Sequence, residues 1–175
     1  MKRTLALIEL IIEEHKTILQ RMDQVANDAE ALQNFEKAKE VFMPGRPDQN
    51  AGLVELEKLA NVISQGLQAH FNREETAVLA VFEEKGGKEL ASAFNSLLSE
   101  HNDLRHRLTY TKDRISRLVS GEIARTYWEA TAHDMRAHIT HTRKLLEVHA
   151  NAEQELLQSL HKRLLGEKSV DLPLN

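Results

Sequence analysis

The placement of helix breakers constrains the fold of this chain more than any other sequence feature. The 175 residues include only seven Gly and three Pro, and seven of these ten lie within two stretches, 44–52 and 66–87. Between the breakers, apolar residues recur at helical spacing. Runs of β-branched residues are nearly absent and aromatic residues make up only 5% of the chain, which is unusual for a sheet protein. The chain is therefore predicted to be all-α.

Helical periodicity divides the chain into four long segments. The clearest loop is Pro44-Gly45-Arg46-Pro47-Asp48, and Gly86-Gly87 and Ser120-Gly121 mark two further turns. A candidate break within the first helix lies near Asn27-Asp28. Short connections of this kind favour an antiparallel up-down four-helix bundle. One bundle domain is predicted over 1–165 and a flexible C-terminal tail over 166–175, with helices at about 4–42, 53–84, 88–119 and 123–165.

Composition and charge exclude several classes of function. The net charge of −4 leaves no basic surface for nucleic acid. The chain has no Cys, which excludes disulfides, a thiol nucleophile, Cys-ligated zinc and iron–sulfur clusters. The longest apolar run, 77–82, is too short to span a membrane. The basic start and the apolar run after it resemble a signal peptide only weakly, since Glu9 interrupts the run. A cytoplasmic protein is predicted.

Each predicted helix carries one histidine on its apolar stripe. These are His15, His70, His101 and His149, each flanked by Ile, Leu or other apolar residues at helical spacing. A buried imidazole without a partner costs roughly 1–3 kcal/mol. A single such histidine is most often a core residue bonded to a polar neighbour. Because each of the four helices buries such a histidine despite this cost, a shared ligand between them is indicated.

Two of the inward histidines are followed by Glu at position i+4, where side chains share a helix face. The pairs are His70–Glu74 and His149–Glu153. The spacing alone is common by chance. Both pairs, however, begin at an inward histidine, so both carboxylates are expected to face the interior. A bare carboxylate is strongly disfavoured there.

Four imidazoles and two carboxylates form a ligand set for two metal ions. Each ion would have two His and a share of two bridging Glu. Such ligands suit iron, manganese or zinc, and a carboxylate-bridged pair favours iron. The Glu-x-x-His pattern of ferritin-like di-iron bundles is absent, as is the His-Glu-x-x-His of zinc proteases. The predicted metal ligands are His15, His70, Glu74, His101, His149 and Glu153.

The other histidines are weaker candidates. His138 lies eleven residues before His149, about three helical turns along nearly the same face, so it is expected to line an access path. Polar side chains mostly stay in water. Surface or rim positions are therefore predicted for His106, His133, His141 and His161.

Four charged residues lie close to the predicted ligands in sequence. Glu75 and Glu155 follow the two ligand glutamates by one and two residues, which turns them about 100° and 200° around the helix. Both are therefore expected to face solvent. Arg73 and Arg105 are placed to reach carboxylates around the site.

The chain resembles the hemerythrin-like family, also known as the HHE cation-binding domain. The resemblance covers residues 5–165. It implies a four-helix bundle that holds an oxo- or hydroxo-bridged di-iron centre. The segments that carry it are Glu14-His15-Lys16-Thr17-Ile18, His70-Phe71-Asn72-Arg73-Glu74-Glu75, Glu100-His101-Asn102-Asp103-Leu104 and His149-Ala150-Asn151-Ala152-Glu153.

The ligand set departs from that of oxygen-carrying hemerythrins. Those proteins have a fifth histidine one turn after the first on the third helix, where this chain has Arg105. The remaining set is similar to that of the di-iron domain of bacterial iron–sulfur-cluster repair proteins. Those proteins usually carry a Cys-containing N-terminal segment, whereas this sequence has no Cys.

Two main hypotheses of function follow. In the first, the metal pair binds or reacts with a small diatomic molecule or peroxide (O₂, NO or H₂O₂), with a separate electron donor as a partner, because open coordination positions admit such ligands. In the second, metal loading stabilises a binding or sensing module without small-molecule chemistry. A phosphotransfer bundle is a weaker third hypothesis, since it needs one exposed histidine rather than four buried ones.

Overall fold

The computed structural model describes residues 2–42 and 51–166, without the side chains of 32–42 and Arg125. Within that part the chain is helical and has no strand, which confirms the all-α prediction. The predicted loop at 44–48 lies outside the described residues, as does the predicted tail beyond Gly166. The α-helices are α1 (Lys2–Phe42), α2 (Ala51–Arg73), α3 (Leu79–Val81), α4 (Gly87–Leu98), α5 (His101–Ser120) and α6 (Arg125–Leu164), and π-helical segments cover Glu74–Val78 and Phe82–Gly86.

These elements form the four rods of a bundle. The first rod is α1 and the fourth is α6. The second rod is the uninterrupted helical run 51–86, and the third is α4 and α5 together, 87–120. The first and third rods each pack against the second and the fourth, so the rods form a closed ring around a common core. Short connections between successive rods make neighbours antiparallel, as predicted.

Helix continuity differs from the sequence prediction in two rods. The candidate break near Asn27-Asp28 is wrong, because α1 is continuous to Phe42. The third rod, predicted as one helix, is broken at Ser99 and Glu100. There the N–H groups of Ser99 and Glu100 donate to carbonyl groups three residues earlier, at 3.2 and 3.0 Å. This tighter turn separates α4 from α5 immediately before His101.

Glycine makes the turn between the second and third rods. Gly87 has a φ of +74°, and a Cβ built on it would lie 3.0 Å from Nη2 of Arg163 on α6. The backbone conformation therefore favours glycine, and the contact with the flexible end of Arg163 is a lesser constraint. Gly121 ends α5 in the left-handed conformation with a φ of 73°, as its position in the sequence predicts.

The core consists of two apolar clusters. The upper cluster contains Ile8, Ile11, Val78, Phe82, Phe94, Leu157 and Leu160. The lower cluster is larger and is built around Met22, Leu67, Phe71, Leu104, Met135 and Leu146. Polar residues lie between the two clusters. None of the described helices has the length and apolar character needed to cross a membrane.

Candidate metal centre

A layer of six buried polar side chains separates the two apolar clusters. All six are at most 4% exposed: His15, His70, Glu74, His101, His149 and Glu153. Each of the four rods contributes one histidine, and the second and fourth rods contribute the two glutamates. Six buried polar groups with nothing to bind would be costly. The layer therefore has the composition of a binding site rather than of a core.

The first of two groups that could hold a metal ion contains His15, His70, Glu74 and Glu153. Nε2 of His15 lies 3.1 Å from Glu153 Oε2 and 3.5 Å from Glu74 Oε1. Nε2 of His70 lies 2.5 Å from Glu74 Oε1. Imidazole nitrogen and carboxylate oxygen thus converge from three rods on one point, as a metal ion requires.

The second group contains Glu74, His101 and His149. Nε2 of His101 lies 3.2 Å from Glu74 Oε2 and 3.1 Å from Nε2 of His149. Glu74 directs one oxygen to each group, which is the position of a bridging carboxylate. The two glutamates were expected to be shared equally. Glu153 is in the first group, and its Oε2 also lies 3.8 Å from Nε2 of His149 in the second, so its sharing stays a prediction.

The chemistry of the facing atoms tests whether the layer suits a metal. Both carboxylate oxygens of Glu74 and of Glu153 are buried and make no hydrogen bond within the described part of the chain. The same holds for both ring nitrogens of His15. The lone pairs of these oxygens face those of the imidazole nitrogens without a hydrogen bond. They repel each other unless a cation lies between them. The donor set therefore fits a metal ion.

Outer carboxylates orient three of the four rings. Nδ1 of His70 lies 2.9 Å from Glu14, and Nδ1 of His101 lies 2.8 Å from Glu75. Nδ1 of His149 lies 3.0 Å from Glu100. An ionised carboxylate only accepts hydrogen bonds, so Nδ1 carries the proton in each ring. Nε2 is left with its lone pair directed into the layer, which is the tautomer that binds a metal.

Each of these carboxylates lies on the rod that precedes its histidine in the chain. Glu14 on the first rod bonds the histidine of the second, and Glu75 on the second rod bonds that of the third. Glu100, at the break within the third rod, bonds the histidine of the fourth. The series ends there, because Nδ1 of His15 has no hydrogen-bond partner among the described residues.

Two arginines hold the outer carboxylates. Arg73 binds Glu14 with Nη2 at 2.5 Å from Oε1. Arg105 binds both oxygens of Glu75, at 2.7 and 2.9 Å. Both arginines therefore reach carboxylates at the site, as the sequence predicts. Glu75 also shows the limit of that prediction, because it was expected in solvent. The rotation that takes it away from the metal layer turns it toward the third rod, where its side chain stays 34% exposed.

The roles of Glu14 and Glu100 were not predicted from the sequence. Each directly precedes an inward histidine, and this repeated Glu-His pair is the signal that could have identified them. The partner of each carboxylate, however, lies on another helix, so only the packing reveals it. Glu155 is exposed, as predicted.

The remaining histidines lie away from the layer. The structure places His106, His133 and His141 at the surface and His161 at partial exposure. The position of His138 on an access path stays a prediction. Its ring packs against Tyr110 with centroids 4.5 Å apart, and its Nε2 lies 3.3 Å from the carbonyl oxygen of Arg107.

The backbone is irregular at two of the buried polar residues. Glu74 is the first residue of a π-helical segment, and His101 begins α5 directly after the turn that breaks the third rod. π-Helical segments are rare and are concentrated at functional sites. Here the wider turn begins at the carboxylate that both groups share.

The layer attracts positive charge when no metal is bound. Burial lowers the pKa of His15, but Glu153 and Glu74 outweigh this effect and raise the pKa to about 9. Burial and the charge of Glu74 raise the pKa of Glu153, and burial lowers that of His149. The raised pKa of His15 favours its protonated ring beside the two carboxylates.

Comparison with known proteins agrees with this geometry. The model of one protein family, described as the hemerythrin HHE cation-binding domain, matches residues 6–160. That range includes every residue of the buried polar layer. Searches of curated proteins and of solved structures find no match to the chain. Because the family model covers most of its length, the chain belongs to the hemerythrin HHE cation-binding domain family.

Proposed function

We propose that the chain is a non-haem di-iron protein that binds or reacts with a small diatomic molecule or peroxide. The observation that carries the proposal is the position of Glu74, which lies in both groups able to hold a metal ion. His15, His70 and Glu153 complete the set for one ion. His101 and His149 complete the set for the other.

The ligand chemistry supports iron as the metal. Imidazole and carboxylate ligands also suit manganese and zinc, but a carboxylate-bridged pair favours iron. Two iron ions would supply redox chemistry and open coordination positions for O₂, NO or H₂O₂. The same ligands fit a metal that only stabilises a binding module, so the test must separate stabilisation from reactivity.

The chain's own residues supply the surroundings for that chemistry. The apolar clusters above and below the layer exclude water, which strengthens electrostatic interactions within it. Glu14, Glu75 and Glu100 hold the protons of three rings on Nδ1, so that Nε2 stays available as a ligand. Such outer partners raise the basicity of metal-bound histidines.

The first test is the metal content of untagged protein from cells grown with added iron. About two irons per chain, one for each group, is the expected result. Anaerobic titration with NO, followed by absorbance, then tests reactivity. A large rise in melting temperature on iron loading without a spectral response to NO, O₂ or H₂O₂ would favour the binding module. Purified protein that cannot be loaded with any metal contradicts both.

A further inference from the structure

A groove between the first and second rods extends to the metal layer. Its volume is about 350 Å³, and the ligand His70 lies in its wall. Glu14 and Arg73 line the same end of the groove, next to the Nδ1 edge of that ring. The groove therefore connects the surface with the outer edge of one metal-layer residue.

The walls of the groove are mainly apolar. Leu10 and Val62 line it and are each 48% exposed, while Ile18 and Ile63 are more deeply placed. Gly66 on α2 also lines it, and a Cβ built there would have no atom within 4 Å. Glu13, Thr17 and Arg21 also line the groove, and its apolar stretch suits a small uncharged molecule.

An ion pair closes the inner end of the groove. The carboxylate of Glu14 binds both the ring of His70 and the guanidinium of Arg73. The two charged side chains are 23% and 38% exposed, so they are anchored at the site but still in contact with water. Movement of this pair would uncover the edge of the imidazole without any change in the helices.

We propose that this groove is the port through which small uncharged molecules reach the metal layer, and that the Glu14–Arg73 pair is its gate. The proposal rests on the proposed function, since it names the route for the ligand of that site. The geometry that supports it is a solvent-open groove with apolar walls that ends at a candidate metal ligand and a partly exposed ion pair.

The test is to fill the groove from Gly66. Gly66→Phe places a ring in the open space, and Gln65→Phe places the same ring on the exposed neighbouring face of α2, outside the groove lining. Gly66→Ala controls for the gain in helix propensity. The association rate of NO with iron-loaded protein is measured by stopped flow. Gly66→Phe is expected to slow binding about tenfold or more, while both controls keep the wild-type rate.

A second measurement does not need the metal. Dissolved O₂ broadens NMR signals of groups that it contacts, so in metal-free protein the methyl signals of Ile18 and Ile63 should broaden and Gly66→Phe should remove the effect.

The gate is tested in iron-loaded protein. Arg73→Met removes the positive charge of the Glu14–Arg73 pair and should increase the rate of NO binding.

The outcomes separate the port from the proposed function. If iron loads and binds NO at the same rate in Gly66→Phe and in the wild type, the port is wrong while the di-iron assignment stands. If the wild type loads iron but shows no response to NO, the proposed reactivity fails. O₂ broadening in the groove then decides the port independently.

Discussion

The ring of Phe71 stacks on the ring of His101, with centroids 4.1 Å apart and planes inclined by 21°. Phe71 is 1% exposed and belongs to the lower apolar cluster, so it forms the floor of the metal layer under one of its histidines. Arg105 lies over the same aromatic ring, 5.3 Å from its centroid. Apolar packing and the outer ion pair thus fix the same imidazole.

Replacement of Phe71 should therefore affect both stability and metal binding. Phe71→Ala is expected to cost about 3–5 kcal/mol of unfolding free energy and to weaken metal binding, because His101 loses its stacking partner. Phe82→Ala is the matched control, since Phe82 is equally buried in the upper cluster and stacks on Phe94 at 4.1 Å. Denaturant unfolding and competition with a chelator measure the two effects. Equal metal affinity in the two variants would contradict a role for the stacking.

The shared carboxylate can be tested by its removal. Glu74→Ala takes a ligand from both groups, so fewer than two metal ions should remain per chain. Glu155→Ala removes an exposed carboxylate from the fourth rod and should leave the metal content unchanged. Elemental analysis of both proteins, purified side by side, is the measurement. A full metal content in Glu74→Ala would overturn the assignment of the bridge.

The outer carboxylates should affect the affinity for metal but not the number of metal ions bound per chain. Glu75→Ala frees the ring of His101 and leaves Arg105 without its partner, so metal affinity is expected to fall about 10–100-fold. Glu83→Ala, an exposed change on the same rod, should have no effect. Chelator competition gives the affinities. An unchanged affinity in Glu75→Ala would show that the hydrogen bond to Nδ1 has no part in metal binding.

The pH dependence of stability should differ between the metal-free and the loaded protein. The pKa of His15 rises from 6.5 to about 9 on folding, so its protonated ring stabilises the metal-free protein fully below pH 6.5. That stabilisation, about 3 kcal/mol, is lost as the pH rises through 9.

Metal binding displaces the proton from His15, so the stability of loaded protein should instead increase over this range. Urea unfolding at several pH values measures both trends. His15→Gln should remove the dependence from the metal-free protein. A metal-free stability that is constant from pH 6.5 to 9 would show that the ring is neutral.

Replacement of a glycine by alanine should lower the stability of the protein at one position and raise it at another. Gly87→Ala is expected to destabilise the protein by about 1–2 kcal/mol, because its φ is positive. Gly66→Ala, in regular helix with open space around it, should stabilise by about 0.5–1 kcal/mol. Thermal unfolding of both variants checks the pair. A stable Gly87→Ala would mean that the turn can change its conformation.

The sequence predicts the helices and their inward faces because both depend on local spacing. His15, His70, His101 and His149 are recognised from the apolar residues around each, and the structure brings all four together. The partners of Nδ1 could not be predicted in this way. The hydrogen bond of Glu75 to His101 depends on the relative rotation of two rods, which no pattern within one helix contains. The break before His101 was missed for a related reason, since Ser99 and Glu100 are compatible with a continuous helix.

The hydrogen bonds from rod to rod also determine the vertical register of the bundle. Glu14 is adjacent in sequence to His15, so a shift of the first rod by one residue would misplace a ligand of its own and release the ring of His70. Glu100 next to His101 links the third and fourth rods in the same way. Hydrophobic packing alone is less sensitive to a small shift of one helix along another. Here such a shift loses both a ligand position and a hydrogen bond between rods. The polar layer therefore fixes the register of the helices. The helices reach their correct register only when the metal ligands also come together.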